Sequence, residues 1–234
     1  MPRLAVSREL LSSAALDALA VLLPVSCAGC GAPDRALCPD CRPALAAALS
    51  TRVLEPVHGA VPVTAGLPYE GVARRCILAF KEQGRTDLVR ALAAPLLCAI
   101  ESALQDAAAA GSRDIRVCCV PQGASSARRR GYDPVRMLAR RSLQRPVERM
   151  LRRASRGSAQ KLLGVRERRD NIAGAFAARH SLEGCRVLLV DDVVTSGATL
   201  EEAARAVRAA GGIVVGAVAL AATPLRGHAR SGMP

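Results

Sequence analysis

One stretch limits the fold more than any other: RVLLVDDVVTSGATLEEAARAVRAAGGIVVGAVAL, Arg186 to Leu220. Two continuous apolar runs, Arg186–Val190 and Gly212–Leu220, flank a helical repeat that puts Leu200, Ala203, Ala204 and Val207 on one stripe. Strands without apolar/polar alternation, joined by a helix, belong to a parallel sheet covered on both faces. IRVCCV (115–120) is another such strand and GAFAA (174–178) a weaker one. Helical spacing marks Tyr69–Phe80, a second run from about Asp87 to Gln105 bent near Pro95, and a basic helix over about 133–144. Residues 43–66 read as a connector with an extended VHGAVPVT, and 150–170 as irregular and charged. No internal repeat is evident.

The chain has 234 residues, enough for one medium domain and a small appendage. Tyr69, Phe80, Tyr132 and Phe176 are its only aromatic residues. So few rings disfavour base-stacking nucleic-acid platforms. The formal charge of +13 admits polyanionic partners, and all but Lys81 and Lys161 of the 33 basic residues are arginine. Between Arg128 and Arg156 the arginines face only two acids, Asp133 and Glu148, a density that a solvated helix face also explains. No apolar run reaches the roughly 18 residues that span a bilayer. Asp17 and Glu9 break the N-terminal apolar segment, and no small-residue cleavage site precedes Cys27. An amphipathic N-terminal helix and a cytoplasmic protein are expected.

Four of the nine cysteines form two C-x2-C pairs, Cys27/Cys30 and Cys38/Cys41. Four thiolates complete the tetrahedron that Zn2+ prefers and leave no open position, so the site is structural. Gly29 and Gly31 allow the tight turn. Disulfides need an oxidising compartment, and a redox pair would explain only one of the two motifs. Cys76, Cys98, Cys118, Cys119 and Cys185 read as small buried hydrophobes.

Asp191 and Asp192 close a buried strand, and Val194, Thr195, Ser196, Gly197, Ala198 and Thr199 lead into the next helix. In parallel α/β sheets ligands bind beyond the carboxyl ends of strands. Backbone amides, hydroxyls and the helix N-terminus make the loop a phosphate cradle. Thr199 and Glu202 match a capping box. The acids beside it suit Mg2+ or vicinal ribose hydroxyls and would stabilise positive charge on a sugar ring. A plain strand–loop–helix leaves two buried adjacent acids unexplained. A Walker-type site lacks its G-x-x-x-x-G-K-[ST].

VLLVDDVVTSGAT resembles the phosphoribosyl pyrophosphate (PRPP) motif of type I phosphoribosyltransferases. Together with the four cysteines, FKEQGR, VPQGASSARRRGYDP and QKLLGVRERRDNIAGAF, it makes the chain similar to the ComF family of competence-associated proteins. The resemblance implies an α/β fold: a type I phosphoribosyltransferase-like parallel sheet flanked by helices, with a small zinc-ribbon-like N-terminal module. It divides the chain into 1–52 (helix and zinc module), 60–224 (phosphoribosyltransferase-like domain) and a disordered tail, 225–234. Asp191 and Asp192 would serve the ribose and Mg2+, and Val194–Thr199 the 5′-phosphate. Gln122 and Gly123 would face pyrophosphate, with Arg166 and Arg169 on a hood over residues 160–171. ComF-like chains often carry a histidine and basic residues after the strand's proline, where this chain has Gln122–Ser126.

The implied reaction displaces pyrophosphate from C1 of PRPP; neither acceptor nor base can be read from the sequence. The resemblance equally implies a non-catalytic DNA-uptake factor contacting single-stranded DNA or a helicase. A PRPP-responsive regulator is the third reading. Zn2+ and Mg2+ are the expected cofactors and PRPP the expected ligand; oligomers are compatible with all three.

Overall fold

The computed structural model describes residues 25–54, 59–123, 130–144, 147–154 and 174–224. Arg166 and Arg169, the hood, the N-terminal helix and the tail lie outside the described residues.

Five strands form the central sheet: β1 (Ser50–Leu54), β2 (Val61–Pro68), β3 (Arg116–Cys119), β6 (Arg186–Val194) and β7 (Ile213–Ala222), in the order β1-β2-β7-β6-β3. All neighbours are parallel except β1, which pairs antiparallel with β2. The expected mixed α/β architecture with a mostly parallel sheet is therefore present. The 43–66 connector is corrected: it supplies β1 and most of β2. Val61, Val63 and Ala65 are buried at every second position, while proline and threonine between them hide the strand pattern. β4 (Leu151–Arg153) and β5 (Phe176–Ala178) pair with each other in a separate two-stranded ribbon. GAFAA is thus a strand outside the main sheet, and the charged region 150–170 contains its partner.

Helices cover both faces. α1 (Gly71–Glu82), α2 (Val89–Ala109) and α3 (Pro134–Leu143) share one apolar cluster with the cysteine module. α4 (Ala198–Arg208) packs on the opposite cluster with the ribbon. Leu188 and Val190 of β6 enter the first core, Val187 and Leu189 the second. This alternation explains why the strand reads as continuously apolar. α2 runs uninterrupted through Pro95, and the Ser142 hydroxyl of α3 donates to the Ala93 carbonyl at 2.9 Å. α3 begins where the Asp133 carboxylate accepts from the Arg136 amide. No described helix is long and apolar enough to cross a membrane.

Candidate functional site

The sequence suggests that the strand stops before its acids. Instead β6 continues to Val194, and Asp191 and Asp192 stay in the ladder with β7, Asp191 opposite Ala219. Both are buried. Their burial is tolerated because each carboxylate accepts a local amide: Asp192 N–H donates to Asp191 Oδ1 at 2.8 Å, and Val193 N–H to Asp192 Oδ1 at 2.7 Å. Beyond that their partners differ. Lys81, near the end of α1, places its ammonium 2.6 Å from Asp192 Oδ2. Gln122, after β3, donates Nε2 to Asp191 Oδ1 at 3.4 Å. Burial, then the Asp192 charge, push the Asp191 carboxyl up to about 8, while the Asp192 amide, Lys81 and Gln122 pull it down.

The loop after β6 is shaped by the edge hairpin. Gly197 takes φ +90° as the cap of α4, and a Cβ there would lie 2.6 Å from Leu54 of β1. Only glycine meets both conditions at no cost. Arg52, also on β1, donates Nη2 to the Thr195 carbonyl at 2.8 Å. Thr195 and Ser196 remain exposed and Val194 buried, with Ala198 and Thr199 in the first turn of α4. The capping box is corrected: Gly197, not Thr199, is the cap residue, and the first amide of the helix, Ala198 N–H, donates to Ser196 Oγ at 3.4 Å. Glu202 turns inward, accepting the Phe176 amide at 3.2 Å and pairing with Arg205 at 2.7 Å. Arg205 donates to the Phe176 carbonyl, so this acid–base pair clamps β5 to α4. A buried strand amide wins Glu202 from the helix end.

Gln122 therefore lies at the acid pair, and Gly123 is the next residue along and the last described one of its loop. Lys81, Arg52 and Leu54 were missed as site residues. FKEQGR is recognisable in the sequence, but nothing there aims Lys81 at Asp192 across the fold.

The four module cysteines converge, with all Sγ atoms within 4.8 Å of one another. Gly29 and Cys38 donate their amides to Cys27 Sγ at 3.4 and 3.3 Å. A Cβ on Gly29 would sit 2.6 Å from Cys41 Sγ, so the turn closes only on glycine. Burial raises the Cys27 thiol, but amides from Cys38, Cys30 and Gly29 outweigh it and bring it to about 6. Cys41 is pushed up, by burial first and then by the neighbouring sulfurs. Four sulfurs at this spacing, one already thiolate-like, suit a structural Zn2+. Arg75 fastens the module to α1 by donating to the Gly29 carbonyl, and Arg85, in the turn after α1, donates Nη1 to the Ser26 carbonyl at 2.9 Å.

Residues 128–231 match the family model of the phosphoribosyl transferase domain. The matched segment holds the acid pair, the loop after it, α3, α4 and β4 to β7. A comparison with curated proteins finds no match to the chain. The molecule thus combines a phosphoribosyltransferase-like domain with a four-cysteine cluster fit for zinc.

Proposed function

We propose that the chain binds PRPP with Mg2+ at the end of β6 and transfers its phosphoribosyl group to an acceptor whose identity is open. One observation carries the reading: a buried acid pair lies near the end of a central parallel strand, two residues before a glycine-shaped loop and a helix N-terminus, inside the matched domain. The amides and hydroxyls of Thr195–Thr199 would hold the 5′-phosphate against the positive end of α4. Asp191 and Asp192 would take the ribose hydroxyls, and their negative field would favour the positive ring that forms as pyrophosphate leaves. Carboxylate oxygens are the ligands Mg2+ prefers, and bound there with PRPP it would neutralise the leaving pyrophosphate. Lys81 holds the Asp192 carboxylate in place. Gln122 orients Asp191 and brings the loop after β3 to the pyrophosphate side; Gly123, Arg166 and Arg169 complete that side in this reading.

The zinc module is a structural appendage, and the cytoplasmic location follows from thiolates that must stay reduced to hold their metal. The ComF-like reading, with single-stranded DNA or a helicase as partner, has the exposed arginines of β4 in its favour. It predicts DNA affinity that falls steeply with added salt.

Calorimetric titration of PRPP with Mg2+ tests the first reading. The natural chain should bind, and Asp191→Asn/Asp192→Asn should weaken binding at least tenfold. A folded, zinc-loaded chain that does not bind PRPP would sink it.

A further inference from the structure

A cavity of about 1000 Å3 opens between the cysteine module and the start of α2. Leu37 and Leu45 line it from the module, and Leu88, Ala91 and Ala94 from α2 and the turn before it. Leu37 and Arg42, also on the lining, are the chain neighbours of Cys38 and Cys41, so whatever fills this space braces the metal loop. Charged side chains surround the apolar floor. Arg35, Arg42 and Arg90 stand there with Asp34 and Asp87, all exposed, and Asp87 already pairs with Arg85 at 2.9 Å. The rim is therefore net basic.

An apolar concavity of this size at a surface marks an interaction site. The chain carries a segment that fits it. Val25, the first described residue, belongs to the lining, so residues 1–24 reach the fold at the cavity's own edge. Within them Leu11, Ala15, Ala18 and Leu22 recur at i, i+4, i+7 and i+11, one face of a helix, with Glu9, Ser13 and Asp17 away from that stripe. Pro24 would stop such a helix immediately before Val25. A helix over residues 9–23 is about 22 Å long, enough to cross from the module to α2. From Glu9 to Pro24 the segment has two acids, Glu9 and Asp17, and no base, the complement of a basic rim. Its tether also gives it an effective concentration that a separate partner rarely reaches.

We propose that residues 9–23 of the same chain dock in this cavity as a helix, laying Leu11, Ala15, Ala18 and Leu22 against Leu37, Leu45 and Leu88, with Asp17 toward the arginines of the rim. The docked segment ties the zinc module to α2, in addition to the contacts of Arg75 and Arg85. The tie holds with or without PRPP.

The photoreactive residue p-benzoylphenylalanine, in place of the exposed Ala94 in the full zinc-loaded chain, reads the occupant directly. Irradiating a mixture of isotopically light and heavy chains should give adducts to residues 9–23 within one chain. Adducts to a second copy would hand the cavity to self-association and overturn the proposal; adducts to other segments, or none, overturn it too. Leu11→Glu/Leu22→Glu should lower Tm by about 4 °C or more, whereas Ser13→Glu, on the opposite face, should leave it within about 1 °C. Equal melting of the two variants overturns docking. A synthetic peptide of residues 9–24 should bind the Leu11→Glu/Leu22→Glu chain and restore its Tm, and bind the natural chain at least tenfold more weakly. No binding by that variant, or equal binding by both chains, means that the segment does not fill the cavity. Should the paired glutamates prevent folding, the photoadduct alone decides.

Discussion

Asp191 sets a pH dependence that a surface carboxylate would not. Its carboxyl lies at about 8 in the folded chain, against 3.8 as the ordinary value. The folded state therefore holds a proton that the unfolded state has lost, and stability falls as pH rises between these values. Asp191→Asn keeps an acceptor for the Asp192 amide and removes the titration. The variant should melt about 5 °C above the natural chain at pH 8.5 and with it at pH 4, by thermal unfolding across pH. Lys81→Met should cost about 2 kcal/mol near neutrality, because it leaves the buried Asp192 charge without its counter-ion. The acids were legible in the sequence because they interrupt an apolar run. Lys81 was not, since an ion pair between residues so far apart leaves no local periodicity.

At the scale of elements, α4 distinguishes two roles for one glutamate. Glu202→Ala strips the Phe176 amide and Arg205 of their acceptor and should cost about 2 kcal/mol, lowering Tm by roughly 4–8 °C. Thr199→Ala should move Tm by less than about 2 °C, whereas a capping-box threonine would cost about 1 kcal/mol. The same melting curves separate the cases. Capping patterns are short and match by chance, and only the packed β5 shows where Glu202 is needed. β6 and β7, buried along most of their length, and α4, with its buried stripe, were legible because burial dictates their composition. β1 was not. As the antiparallel edge, with Val53 more than half exposed, it keeps too few apolar positions to stand out from a loop. The loop after β6 was legible as a cradle, but its shape depends on Leu54 and Arg52 of that unseen strand.

For the whole molecule, zinc should be a folding ligand. One Zn2+ per chain is expected, and a strong chelator should lower Tm by several degrees as the module melts away from α1 and α2. Metal analysis with calorimetry, before and after chelation, reads both. The spacing of the cysteines made this part legible, whereas its seat on the domain depends on Arg75 and Arg85, which sequence leaves indistinguishable from other surface arginines. The end of α1 and the turn after it therefore do two jobs four residues apart: Lys81 holds the acid pair and Arg85 holds the module. The boundary expected from the sequence, at residue 52, is then the wrong place to splice. A hybrid joined there would marry a foreign module to an unmatched arginine, and a single residue inserted within α1 would swing Lys81 about 100° round the axis. The exchangeable unit is the module together with α1 and its turn through Asp87, and the acid pair inherits its counter-ion from that unit.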